Sequence, residues 1–347
     1  MSLEFIWELP NWRDSRYADA SPYLRGERDG QAAFGPGISD PRGERFNYLD
    51  YLQQIARAAD LSGFDGIRIG NHPDGDEPWI IAGYVARSTR HLRLLTEFDA
   101  ARGSAVYAAK NAVSYQRFSG GRFAWQISTP ANAAARRRQG DFVANADLLP
   151  RIEEFISVAR GVITQAPFSF KGRFFEVLDG GFQGPLSGQR VPPIYLAGDA
   201  AEALQLSARQ ADVHVFSARS PSELAPLLDE LNRIARAHGR APQAGLRLDL
   251  LAREDAAEAL ADAQRLATQA GLPAPSGSGL WQPGGGSVAT LVGSYAEVVE
   301  WLAEYAVAGI GSFLIGAAPH LEEAYRVGEN VLPALRARLA GATAHTA

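Results

Sequence analysis

The chain has 347 residues, 46% of them hydrophobic, no cysteine, and a formal net charge of −5 from 34 basic and 39 acidic side chains. Without cysteine there is no disulfide frame, no thiolate nucleophile and no cysteine metal site. Mixed charge with an acidic excess argues against nucleic-acid binding, which normally needs a basic face. No apolar run approaches the ~20 residues that span a bilayer, and Met1–Trp7 lacks a basic segment leading into an apolar one, so a cytoplasmic protein is expected.

Phe5–Leu9 reads as a short strand stopped by Pro10. Residues 11–46 show no regular period and are rich in Gly, Pro, Asp and Arg; they read as a lid over a site or as a solvated insertion. From Tyr48 the pattern turns helical, with Leu52, Ile55, Ala56 and Ala59 on one face and Gly63 placed to end it. Strand Phe64–Asn71, a helix after Pro78–Trp79, strand Leu92–Asp99, a helix from Ser104 toward Phe118 and strand Phe123–Thr129 follow. The next amphipathic helix carries Leu148, Ile152, Phe155, Ile156, Ala159 and Ile163. Phe168–Phe170 and Phe174–Val177 look like a hairpin inserted within 165–190.

Strand Ile194–Ala197 is stopped by Gly198. Asp199 with Glu202 reads as a variant capping box that opens a helix, and the free N–H groups at such a start, around Ala200, can hold a phosphate. Strand Ala211–Ser217 leads to a helix announced by Ser220-Pro221-Ser222-Glu223. Strand Leu246–Ala252, helix Asp255–Ala270, a Gly/Pro/Ser-rich loop Gly271–Ser287, a helix capped by Ser294 and Glu297, strand Gly311–Gly316 and a helix from His320 to the end complete the series. Leaving the hairpin aside, eight strands alternate with helices, which predicts a single-domain α/β (β/α)₈ TIM barrel.

Strand period says which residues line the interior. Leu246, Leu248 and Leu250 share the face that packs on helices, so Arg247 and Asp249 point inward. The same alternation sends Arg68, His214, Gln126 and Ser128 inward, and it puts Glu97 and Asp99 on one face. A barrel filled for stability alone would carry branched apolar residues there. Buried charges need partners, so these groups are either internal ion pairs, such as Arg247 with Asp249, or a ligand site at the C-terminal ends of the strands. The six histidines form no His-x-His or His-x-x-x-His pair, Gly284-Gly285-Gly286 lacks the lysine of a phosphate loop, and neither a Gly-x-Ser-x-Gly elbow nor a Rossmann fingerprint is present.

Several segments in collinear order resemble the bacterial luciferase-like flavin monooxygenases, and within them the alkanesulfonate monooxygenase branch. They are Tyr51–Gly66, Phe118-Ser-Gly-Gly-Arg122, Pro193–Gly198, the strand around Arg247, and Gly309–Glu329. The resemblance implies a TIM barrel that receives reduced FMN from a separate NAD(P)H:flavin reductase and uses O₂ to oxidise a small organic substrate. It further implies frequent self-association as a homodimer or homotetramer. It carries over a cofactor role to Ser128, Thr129, and Gly198 with its helix start, and a catalytic role to Arg247 and His320; Asn71 and His72 match the region where luciferases keep a histidine beside the flavin. The chain departs from the branch at Asp199, which replaces a small hydroxyl residue, at Asp249 in place of a histidine, at Ala318 in place of a tyrosine, at Asp99 in place of an arginine, and in its short Gly271–Ser287 segment. Arg136–Arg138 are alternative donors to the phosphate. The site has lost positive charge, so a neutral or cationic substrate is expected rather than a sulfonate. A barrel that binds ligand without oxygen chemistry, and a deazaflavin-dependent oxidoreductase, are the competing expectations.

Overall fold

Alternation of inward residues, apolar at mid-barrel and charged toward its ends, with bulky apolar outward ones builds the wall of the molecule. The computed structural model describes residues 3–11, 48–73, 75–101, 103–128, 132–282, 284 and 288–344. In chain order the strands are β1 (Glu4–Leu9), β2 (Gly66–Ile69), β3 (Arg93–Asp99), β4 (Phe123–Ser128), β5 (Phe168–Lys171), β6 (Glu176–Gly180), β7 (Ile194–Ala197), β8 (Val213–Ser217), β9 (Gln243–Arg253), β10 (Gly279–Trp281), β11 (Thr290–Ser294) and β12 (Ile310–Gly316). The helices are α1 (Tyr48–Leu61), α2 (Pro78–Ser88), α3 (Ala105–Ser119), α4 (Ala133–Arg138), α5 (Leu148–Thr164), α6 (Ala201–Gln210), α7 (Pro221–Ala237), α8 (Ala256–Ala270), α9 (Tyr295–Val307), α10 (His320–Asn330) and α11 (Leu332–Ala344).

Parallel pairing runs β1-β2-β3-β4-β7-β8-β9-β12 and returns to β1, which closes the expected eight-stranded barrel. The antiparallel β5–β6 hairpin stands apart from it, as predicted. Sequence reading missed three elements: α4, and the β10–β11 pair that extends the sheet along the second half of β9. Both β10 and α4 are short, and glycine and proline flank β10, so local pattern was weak there. The helix expected from His320 onward is two helices that meet at Val331; Pro333, in the first turn of α11, has no N–H to continue α10. Thr129 and all of the expected lid except Asn11 lie outside the described residues. Among the described residues no helix is long and apolar enough to cross a membrane.

The barrel interior is layered. At the N-terminal end Glu4 accepts hydrogen bonds from Tyr195 (2.6 Å) and Ser312 (2.9 Å) and pairs with Arg93 at 2.6 Å. Above it sit Ile6, Leu95, Ala124, Val213, Val215 and Leu314, all buried. Charged residues occupy the C-terminal end. His214 does not join them. Its neighbours Val213 and Val215 fill the apolar layer, so the ring points toward the helices, where Nδ1 lies 2.7 Å from Ser207 Oγ on α6 and burial pushes its pKa down to about 4. The alternation on β8 was legible, but which of its two faces is the inner one was not.

Candidate functional site

Strand parity brings Glu8, Arg68, Glu97, Gln126, Arg247 and Asp249 to the C-terminal rim. The outer face of β9, Leu246, Leu248 and Leu250, is buried in the main core as expected. Arg68 is the hub. It donates to Glu8 through Nη1 (2.7 Å), to Glu97 through Nη2 (2.7 Å) and to Gln126 through Nε (2.5 Å). Glu97 also accepts from the backbone N–H of Asn71 at 2.9 Å, which fixes the turn after β2. Arg247 pairs with Glu8 at 2.8 Å, not with Asp249 as the internal ion-pair reading had it. Burial alone would raise the Glu8 carboxyl, but the guanidinium groups of Arg247 and Arg68 outweigh it and hold it down at about 2.

Above this network opens a cavity of about 400 Å³ whose walls include Asn71, His72, Glu97, Arg247, Asp249 and His320. Six of the predicted site residues therefore meet in one place, and Gln126 braces Arg68 in the same wall. Asp249 keeps part of its surface open while protein encloses the rest. Burial pushes its carboxyl up to about 6, against the pull of Arg247 and His320 and with added repulsion from Glu8. A carboxyl in that range exchanges a proton near neutral pH. The rim thus offers fixed charges for orientation and one group able to take or give a proton. Among the described residues no three His, Asp or Glu side chains are placed to hold a metal ion.

A neighbouring cavity of about 500 Å³ shares Arg247 and Val288 with the first and is lined also by Ser217 and Arg219. The turn after β7 adjoins this region through Asp199, but its capping box is absent. The N-cap of α6 is Ala200 with no side-chain cap, and Asp199 instead forms an ion pair with Arg219. The cap fails because a charged partner outcompetes the backbone donors of α6. Gly198 has φ +132°, and a Cβ there would approach Ala203 Cβ to 2.9 Å, so only glycine leaves this turn bare. Arg136, one alternative phosphate donor, is buried and committed to Asp141 and Asn145. Ser128 ends β4 opposite Asp99; Asp99 is itself buried and accepts from the N–H of Ala101 at 2.9 Å.

An uncapped helix start behind a bare glycine turn suits a phosphate. Asp199 carries the wrong charge, and Arg219 offsets it; the buried Nε of Arg219 has no hydrogen-bond partner among the described residues. The residues present therefore fit a phosphate-bearing cofactor. Sequence reasoning missed Glu8, Asn11 and Arg219. The alternation Glu4-Phe5-Ile6-Trp7-Glu8 could have given Glu8, because the outward Phe5 and Trp7 leave both glutamates inside. Nothing local marks Arg219, which belongs to the site only because β8 lies beside β7.

The family model described as luciferase-like monooxygenase matches residues 29–312. Among solved structures, riboflavin lyase with modified FMN and riboflavin is 19% identical with a TM-score of 0.76, covering 97% of this chain and 92% of that one. EDTA monooxygenase from Chelativorans sp. BNC1 is 16% identical with a TM-score of 0.72, covering 97% and 94%. An F420-dependent secondary alcohol dehydrogenase is 15% identical with a TM-score of 0.69, covering 96% and 99%.

Proposed function

From the premise that this chain belongs to the luciferase-like monooxygenase family, we propose that it is the oxygenase of a two-component system that oxidises a small organic substrate with reduced FMN and O₂. The reduced FMN comes from a separate NAD(P)H:flavin reductase, and the oxygenase works as a homodimer or homotetramer. One observation carries the reading: the charged rim with its about 400 Å³ cavity, within the range of small-molecule sites. Asn71, Glu97, Gln126, Ser128 and Thr129 hold the flavin ring and its chain, and Gly198, Asp199 and Ala200 border the phosphate. Bound reduced FMN supplies two electrons and the position at which O₂ reacts. His72, Arg247, Asp249 and His320 face the substrate; Arg247 orients it and Asp249 holds an exchangeable proton.

The charge balance disfavours the alkanesulfonate branch. Among the described residues, Glu8, Glu97 and Asp249 oppose Arg68 and Arg247 in the cavity wall, which supports a neutral or cationic substrate. A deazaflavin-dependent oxidoreductase is the second reading, supported by the resemblance to the F420-dependent dehydrogenase. Anaerobic titration with reduced FMN, followed by O₂ and a panel of neutral, cationic and sulfonate substrates, tests both. Reduced FMN should bind and neutral or cationic substrates should gain one oxygen atom. Binding of reduced deazaflavin but not reduced FMN would replace the first reading with the second, and binding of neither would leave a barrel without redox chemistry.

A further inference from the structure

Behind Asp249 lies a third space of about 130 Å³, lined by Asp249, Arg253, Leu266, Thr290, His320 and Glu323 among others. Asp249 and His320 also border the 400 Å³ cavity, so these two side chains form the partition between the two spaces. At about 30 Å³ of liquid volume per water, the smaller space holds roughly four molecules, with polar groups at both ends to bind them.

Glu323 stands at the far end. It is 3% exposed and pairs with Arg253 at 3.4 Å and with Arg326. Arg253 continues to Asp262 at 2.9 Å, and Asp262 and Arg326 reach solvent. At the near end the Asp249 carboxyl owes its position to Gly316, its register partner on β12; a Cβ there would collide with Asp249 Oδ1. Two carboxyls, with Arg253, Thr290 and His320, thus line a space whose remaining walls are leucine and alanine.

We propose that this side cavity is a water-filled proton passage, which runs from Glu323, one ion pair beneath the surface, to the reaction cavity at Asp249. The passage rests on the oxygenase reading for its purpose. Transfer of one oxygen atom from O₂ and reduction of the other to water takes two electrons and two protons. Reduced flavin that enters as its monoanion brings both electrons and one proton, so the second proton comes from solvent. Glu323 gives a proton to the water chain and regains one from outside; the chain gives one to Asp249, which presents it in the reaction cavity. The groups that face Asp249 are Glu8 from β1, Arg247 from its own strand and His320 from α10, while β12 offers only a glycine. Burial raises both carboxyls, Asp249 to about 6 and Glu323 against the pull of Arg253 and Arg326.

The apoprotein suffices for the test. Infrared spectra across pH 4–8 should show the carbonyl band of a buried carboxylic acid that disappears with a midpoint near 6 and is missing from Asp249→Asn. After a pH jump, Glu323→Gln should slow the relaxation of that band at least tenfold while its midpoint stays. Leu266→Phe, which fills the side cavity and keeps every charge, should slow it likewise, and it serves as the test if Glu323→Gln fails to fold. Absence of the band, its persistence in Asp249→Asn, or wild-type relaxation in the cavity-filled variant would overturn the proposal. Failure of reduced FMN to bind would overturn the oxygenase reading alone and leave these measurements standing.

Discussion

Glu8 and Asp249 are carboxyls on neighbouring stretches of one rim, and the guanidinium groups drive them in opposite directions. Glu8 touches both arginines, so its folded pKa of about 2 lies below the unfolded value. Its stabilising contribution is present above pH ~4.5 and is lost as the pH falls toward 2. Glu8→Gln leaves the buried Arg68 and the half-exposed Arg247 short of a counter-charge and should cost about 3 kcal/mol at pH 7, read as a fall in the guanidinium chloride midpoint. Asp249 has the opposite sign. Its folded pKa of about 6 lies above the unfolded one, so stability is greatest below pH ~4 and declines as pH rises through 6. Discounted for the side open to the cavity, the loss is about 2 kcal/mol. Asp249→Asn should therefore melt above the wild type at pH 7.5 and level with it or below at pH 4. Equal offsets at both pH values would contradict the shift.

At the scale of elements, the helix starts differ by whether they are sealed. Helices α7 and α9 carry complete capping boxes, Ser220 with Glu223 and Ser294 with Glu297, and both were legible as spacing. The same spacing misled at α6, because Asp199 has a better partner in Arg219, 20 residues away on the next turn. Asp199→Ser should barely change stability, since both partners of the ion pair are 29% exposed. It should tighten FMN roughly tenfold and leave riboflavin within twofold, because a like charge beside a phosphate costs ~1 kcal/mol in water and ~4 kcal/mol at intermediate screening. Fluorescence titration with the two flavins reads the difference; equal gains for both would place the phosphate elsewhere. The split of the last helix at Val331 and the β10–β11 extension escaped notice for a related reason. Short pieces are stabilised by what they pack on, which periodicity does not report.

For the whole molecule the two ends of the barrel divide stability from chemistry. The Glu4–Arg93–Tyr195–Ser312 cluster seals the N-terminal end, where burial and the neighbouring Glu4 both raise the Tyr195 phenol. Tyr195→Phe removes a donor to a partly buried carboxylate and should cost about 1–2 kcal/mol in thermal or denaturant unfolding. Flavin affinity should stay within twofold, because an apolar layer separates this cluster from the rim; a larger loss would mean the layers are coupled.

By itself the sequence determined the barrel, since eight apolar runs alternating with amphipathic helices bury their faces in few other ways, and it determined that Arg247 and Asp249 point inward, since strand period leaves no other side for them. It could not decide partners. That Glu8 rather than Asp249 neutralises Arg247, that Arg219 draws Asp199 off its helix, and that His214 looks outward all depend on which strands become neighbours and at what register. Those choices are made by closure of the barrel, and no local spacing encodes them.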